Sequence, residues 1–225
     1  MFTYSLSGLE ITASADVPAE VEESETTARS AVYQVLASFF GPVDTEHYDR
    51  ASRGGWAEEI EKAATLLPYA IDTGPEGLST EMTLEEYAAE RARVFSDPSE
   101  EDHLLREATY ASEPDAVIPQ VTREYDYFGL STSTSGSRPP DHLVTECDFM
   151  QYLCFREAAT SSDRLRASYR RAQREFLDRH LGTWASLVAV SVSQRSPKDP
   201  FMTGVERLAS FVRADLAYVT NLLAA

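Results

Sequence analysis

Apolar residues recur three and four positions apart through most of this chain, the spacing that gives a helix one buried face. Residues 26–40 carry Ala28, Val32, Val35, Leu36 and Phe39 on such a stripe. Gly41-Pro42 then stops it, with glycine in the left-handed cap position and proline beyond. Trp56, Ile60, Ala63, Ala64 and Leu67 mark a second helix, closed by Pro68 and a polar loop at 72–77. Thr83 followed three residues later by Glu86 is a capping box. The helix it opens has Leu84, Tyr87, Ala88, Arg91, Val94 and Phe95 in line. After a charged loop at 96–103, Asp115 is placed to cap a further helix, in which Pro119 is tolerable only within the first turn. Val121, Tyr125 and Phe128 follow, Gly129 ends the helix, and 131–138 is a flexible Ser/Thr/Gly loop.

The strongest pattern comes next. Pro139-Pro140 fixes the chain's entry into Asp141-His142-Leu143, and Leu143, Cys147, Met150 and Cys154 follow at steps of four, three and four. This predicts a buried helix with Asp141 as its N-cap and with His142 and Glu146 together on its first turns. Residues 163–195 continue in helical register through Leu165, Tyr169, Phe176, His180, Trp184 and Leu187, and Gly182 is placed to bend or break them. After a break at 196–200, Val205, Leu208, Val212, Leu216, Val219 and Leu223 make a last helix. No alternating strand pattern and no fixed-period repeat is visible. The expectation is an all-α protein: a single globular domain of eight to ten helices over 25–225, preceded by a mobile extension at 1–24.

Composition narrows the function. Thirty-seven acids against 20 bases give a formal net charge of −17. Lys62 and Lys198 are the only lysines. An acidic surface that avoids lysine fits adaptation to high salt, and it disfavours nucleic acid and anionic membrane as partners. The charge is uneven: residues 1–100 hold 20 acids and 6 bases, whereas 161–225 hold 6 and 10. No apolar run reaches the eighteen or so residues of a membrane span, and no signal peptide opens the chain, so the expected location is cytoplasmic. Cys147 and Cys154 sit seven apart on one helix, roughly 10 Å between Cα atoms. A disulfide needs under about 7 Å, so they read as core residues.

Candidate chemistry gathers around residues 141–146. His142 and Glu146 have the spacing of two helix-borne metal ligands, but no third or fourth ligand is evident. Asp141–His142 has the form of an acid–base pair, which needs a nucleophile or metal to serve. The plain alternative is that Asp141 caps the helix and His142 satisfies a polar group. No phosphate-cradling loop or serine elbow is present. The readings therefore carry no catalytic residue, metal or cofactor. A helical enzyme using Asp141, His142 and Glu146 stands as the alternative to a binding protein. His180, between Phe176 and Trp184, reads as a hydrogen-bonded core histidine, and His47 and His103 as solvated. Tyr87, Phe95, Tyr110, Tyr125, Tyr127 and Phe128 lie between two loops, and some of them can line a groove.

These residues resemble a known family. Tyr33, Leu36, Ala37 and Phe39-Phe40, then Tyr87 to Phe95, the 121–130 stretch with Tyr125 and Gly129, Pro140-Asp141-His142-Leu143, Phe149 with Leu153, and Phe176-Leu177 through His180-Leu181 to Trp184 are similar to the TorD/DmsD/NarJ family of redox-enzyme maturation chaperones. The resemblance implies an all-helical chaperone without turnover. Its partner is implied to be the twin-arginine leader, or the apo form, of a molybdopterin-containing catalytic subunit of the dimethyl-sulfoxide-reductase type. The family's leader-binding Asp-His pair falls on Asp141 and His142, after Pro140, and its apolar region near Phe95 and Gly129. Tyr87, Tyr125 and Phe128 are candidate groove residues. Glu146, with Glu113, Asp115, Glu124, Asp126 and Asp141, is a candidate acidic rim for the leader's guanidinium groups.

Overall fold

The computed structural model describes residues 2–3, 9–11, 20–71, 78–97, 99–132, 138–195 and 200–224. Most of the 1–24 extension, the loop at 72–77, most of the loop at 131–138 and the break at 196–199 lie outside the described residues. The described residues form nine α-helices: α1 Glu25–Phe39, α2 Thr45–Ser52, α3 Gly55–Ala64, α4 Leu84–Phe95, α5 Pro114–Tyr127, α6 Leu143–Ala159, α7 Asp163–Arg179, α8 Leu181–Arg195 and α9 Pro200–Ala224. Two 3-10 turns, His103–Leu105 and Glu107–Thr109, lead from α4 to α5. The all-helical expectation holds. The strands are short: β1 Phe2–Thr3 pairs with β3 Glu20–Val21, and β2 Leu9–Ile11 pairs antiparallel with β4 Leu130–Thr132, Leu9 opposite Thr132. Within the N-terminal stretch, Leu9 is buried in the main core.

α6 is the hub. Its central packing is against α1, with α7 beside it. The sequence predicts one apolar face, but every residue from 143 to 155 is buried, including Thr145, Glu146, Asp148 and Gln151. A helix enclosed on all sides must supply partners for each of its polar groups. Leu143, Met150, Phe176 and Trp184 share one continuous core.

Three local expectations are corrected. The N-cap of α6 is His142, whose ring nitrogen accepts from Val144 N–H; Asp141 turns its carboxylate elsewhere. The 163–195 pattern is two helices, broken at His180 (φ −123°, ψ −106°) rather than at Gly182. Gly182 serves the corner differently: a Cβ there would lie 2.2 Å from the Leu177 carbonyl oxygen. In α5, Glu113 is the N-cap and Pro114 the first residue, so Pro119 lies in the second turn. Pro119 is exposed, and water can serve the carbonyl its missing N–H leaves free. The Thr83–Glu86 capping box forms as predicted.

Candidate functional site

A buried polar cluster lies where the 99–108 segment crosses the start of α6. Arg91, on the inward stripe of α4, donates to Asp102 Oδ1 at 2.7 Å and Oδ2 at 2.9 Å, and to the Phe40 carbonyl at 2.8 Å. Asp102 adopts a left-handed backbone conformation (φ 56°), which aspartate tolerates better than most residues. His142 Nε2 lies 3.3 Å from Asp102 Oδ2. Because Nδ1 of His142 accepts from Val144 N–H, the proton of the neutral ring sits on Nε2 and is donated to Asp102. Burial pushes the Asp102 carboxyl up, but the bonds from His142 and Arg91 outweigh it and hold the group well below the usual carboxylate range. Burial lowers His142, and the neighbouring Asp102 offsets part of that.

Asp141 is a separate junction. Its carboxylate accepts from Arg106 Nε at 3.1 Å and from Ala108 N–H at 3.2 Å, and its carbonyl from Glu107 N–H at 2.9 Å. Arg106 also pairs with Glu100. Tyr125 donates to the Pro140 carbonyl at 2.9 Å. Asp141 and His142 thus tie the 99–108 segment to α6, Asp141 through an ion pair with Arg106 and His142 through a hydrogen bond to Asp102. Both are enclosed, at 0% and 1% exposure.

One turn on, Glu146 Oε2 accepts from Trp184 Nε1 at 3.1 Å. Burial, and after it the charge of Glu107, push its carboxyl well above the usual range. Asp141 faces Arg106, His142 faces Asp102 and Glu146 faces Trp184. The three therefore do not converge on a common point, and the enzyme reading finds no support. Among the described residues no group of three or more His, Cys, Asp or Glu side chains is arranged to hold a metal ion.

The remaining candidates fall in two places. Phe128 is half-buried against Phe149, Tyr152 and Tyr169 at the end of α5, and Gly129 takes the positive φ (69°) that turns the chain there. Beside them Tyr127 is 82% exposed. Tyr87 and Phe95 lie apart from these, buried on α4; Tyr87 stacks on Phe201 at 4.9 Å and Phe95 meets Phe40 and Phe201 edge-on. Of the expected acidic rim, Glu124 is ion-paired with Arg179, and Glu113, Asp115 and Asp126 are exposed. His180 bonds Glu107 in the core, as expected. His47 is not solvated: it packs between Phe39, Trp56 and Tyr87. Burial, then the Arg91 charge, lower it to about 4.

Sequence reasoning missed Arg91, Asp102 and Arg106, the partners that fix the Asp-His pair. The available signal was Arg91 itself, a base on an apolar stripe, which needs a buried acid to meet it.

The histidine and acids of this segment are each held by a partner of their own, Asp102 for His142, Arg106 for Asp141 and Trp184 for Glu146. Residues 53–189 match the nitrate reductase delta subunit family, and the chain belongs to that family. It is 27% identical over 201 residues to the perchlorate reductase assembly chaperone protein of Dechloromonas aromatica (strain RCB), covering 85% of this chain and 90% of that one. Over 71 residues it is 42% identical to the selenate reductase assembly chaperone protein of Thauera selenatis and 37% identical to the chlorate reductase assembly chaperone protein of Ideonella dechloratans. In both cases the match covers 31% of this chain and 37% of the relative. The resemblance to redox-enzyme maturation chaperones is thereby established. No helix among the described residues is long and apolar enough to cross a membrane.

Proposed function

We propose that the protein is a system-specific assembly chaperone, not an enzyme, that binds the catalytic subunit of a molybdopterin-containing reductase and holds it for cofactor insertion. The observation that carries this reading is the match along nearly the whole chain to a reductase assembly chaperone. The family match at 53–189 spans the segment that carries the Asp-His pair. The work takes place in the cytoplasm, before assembly or export, and the target is the twin-arginine leader or the apo-subunit behind it.

The candidate residues divide by exposure. Phe128, Gly129 and Pro140 are partly open and can meet a client directly, with exposed Tyr127 beside them. Tyr125 supports Pro140 from below through its hydroxyl. Asp141, His142, Glu146, Tyr87 and Phe95 are enclosed and act as positioning residues, fixing the surface that the client touches. An apolar leader segment on the aromatic end of α5, with acidic side chains nearby for its arginines, fits helix-in-groove recognition.

Capture with the tagged full-length chain from its native host tests the reading. The expected prey is a molybdopterin-type reductase catalytic subunit lacking its cofactor. Recovery of no reductase subunit, or of the cofactor-loaded form alone, overturns it. Titration with the client's leader peptide and with the leaderless apo-subunit separates the two targets.

A further inference from the structure

α8 departs from the charge pattern of the chain. Residues 181–194 carry no charged side chain, although 25% of all residues are charged. Burial explains uncharged stretches such as 149–155 in α6, which is enclosed on every side. It does not explain α8, whose outward face is open. Ser186 and Ser193 are exposed there, and so are Leu187 and Val190, at 43% and 57%. A single exposed apolar side chain needs no explanation. Two of them within one turn, on a face without any charge, form a surface that water solvates poorly.

α9 packs along α8 and continues this surface. Ser186 of α8 and Arg213 of α9 line one small groove between the two helices, of about 90 Å³. The outward stripe of α9 runs through Glu206, Ser210, Arg213 and Ala217, at steps of four, three and four, and all four are exposed. Its charges are thus one acid and one base. Neither Glu206 nor Arg213 has an ion-pair partner among the described residues. They lie on one face about 10 Å apart along the helix, too far to satisfy each other.

Equal and opposite charges on one face make that face complementary to itself. A two-fold axis crossing α9 between Ala209 and Ser210 is equidistant from positions 206 and 213. Two antiparallel copies of α9 about that axis set Glu206 of each chain against Arg213 of the other, as an isologous contact requires. Ser210, at the crossing, is small enough for the helices to approach.

From these observations we infer that the outer face of α8 and α9 is a self-association surface, and that its occupant is a second copy of this chain. Two chains carrying −17 each repel one another. This face brings them together without setting acid against acid, and it removes Leu187 and Val190 from water. A strip two helices wide, about 20 Å, and about 30 Å long offers roughly 600 Å² per chain, near the lower bound of a specific interface. The dimer is therefore weak and reversible, with dissociation in the micromolar range. The inference stands apart from the chaperone reading and uses none of it.

Sedimentation equilibrium of the full chain tests it, across nanomolar to high micromolar concentration in about 0.15 M potassium chloride, where charges farther apart than about 8 Å are screened and direct contacts are not. Wild type is expected to pass from monomer to dimer. Val190→Glu and Arg213→Glu, both at exposed positions, should each weaken dimerisation at least tenfold with the melting midpoint unchanged. The charge swap that combines Glu206→Arg with Arg213→Glu should restore it. A chain that stays monomeric throughout, a dimer indifferent to Val190→Glu, or a swap that fails to restore association overturns the proposal. Client capture is measured beside it. A monomeric wild type whose Val190→Glu variant loses the captured reductase subunit assigns the face to the client and removes the second copy as its occupant.

Discussion

Asp141 is the residue whose neighbours most change what its sequence suggests. It looks like a helix cap and is instead one half of a nearly dry ion pair with Arg106, with the Ala108 N–H as a third contact. Removing one member of such a pair leaves the other charge buried without compensation. Asp141→Asn is therefore expected to cost about 2 kcal/mol or more in denaturant unfolding, since Arg106 keeps Glu100 and some exposure. An unchanged midpoint would mean that the pair holds nothing. His47 makes a second prediction. Its folded-state value of about 4 lies below the 6.5 of an unfolded histidine. At pH above 6.5 neither state is protonated and His47 adds no pH dependence. As pH falls below 6.5 the unfolded chain takes up a proton that the folded one refuses, so stability is lost, by roughly 2 kcal/mol between pH 7.5 and 5. His47→Asn should flatten that slope. Parallel curves for wild type and variant would show that His47 titrates normally.

At the scale of elements, two helix contacts depend on what is missing. α9 crosses α1 at Gly204, where a Cβ would lie 2.2 Å from a ring carbon of Phe39. Phe39 is itself wedged among Phe40, Trp56 and Phe201, so it cannot swing away. Gly204→Ala should cost about 1–3 kcal/mol through overpacking, although alanine is the better helix former at an isolated position. A gain in melting temperature would show that the crossing is looser than described. The break between α7 and α8 follows the same logic. Gly182 permits the approach to the Leu177 carbonyl, but the turn itself is taken by His180, whose ring is held by Glu107.

At the scale of the molecule, a net charge of −17 repels itself. Raising potassium chloride from 0.1 to 1 M shortens the screening length from about 10 Å to about 3 Å. The buried pairs, Arg29–Asp215 foremost, are shielded from salt by the protein around them. Repulsion should therefore be screened more than attraction, and the melting midpoint should rise. A midpoint that falls across this range would mean that exposed ion pairs, not the enclosed ones, hold the fold. The same argument bears on the client. In molar salt the truncation of apolar residues in its leader should weaken binding more than replacement of its arginines by lysine, because apolar burial survives screening.

The sequence by itself determined the fold class, because three-four periodicity, the capping box at Thr83 and the Gly41-Pro42 stop are local signals; the stop holds, although Phe40 is the C-cap and Gly41 does not take the left-handed conformation expected of it. It also located the segments of the candidate site, since Pro140-Asp141-His142 and His180 through Trp184 stand out as polar groups inside apolar stripes. Only the tertiary structure decided what those groups do. α6 is buried as expected, but on every side rather than on its one apolar face, so its polar residues are enclosed too. The choice of His142 over Asp141 as cap followed from Arg106 and Asp102, which reach α6 from a segment some forty residues earlier in the chain. His47 looked solvated because its sequence neighbours are acidic, yet Trp56 and Tyr87 from other helices enclose it. Glu107 shows the same limit. Nothing near it in sequence reveals that it meets His180, because which polar groups meet in the core is a property of packing over long sequence separation, not of spacing.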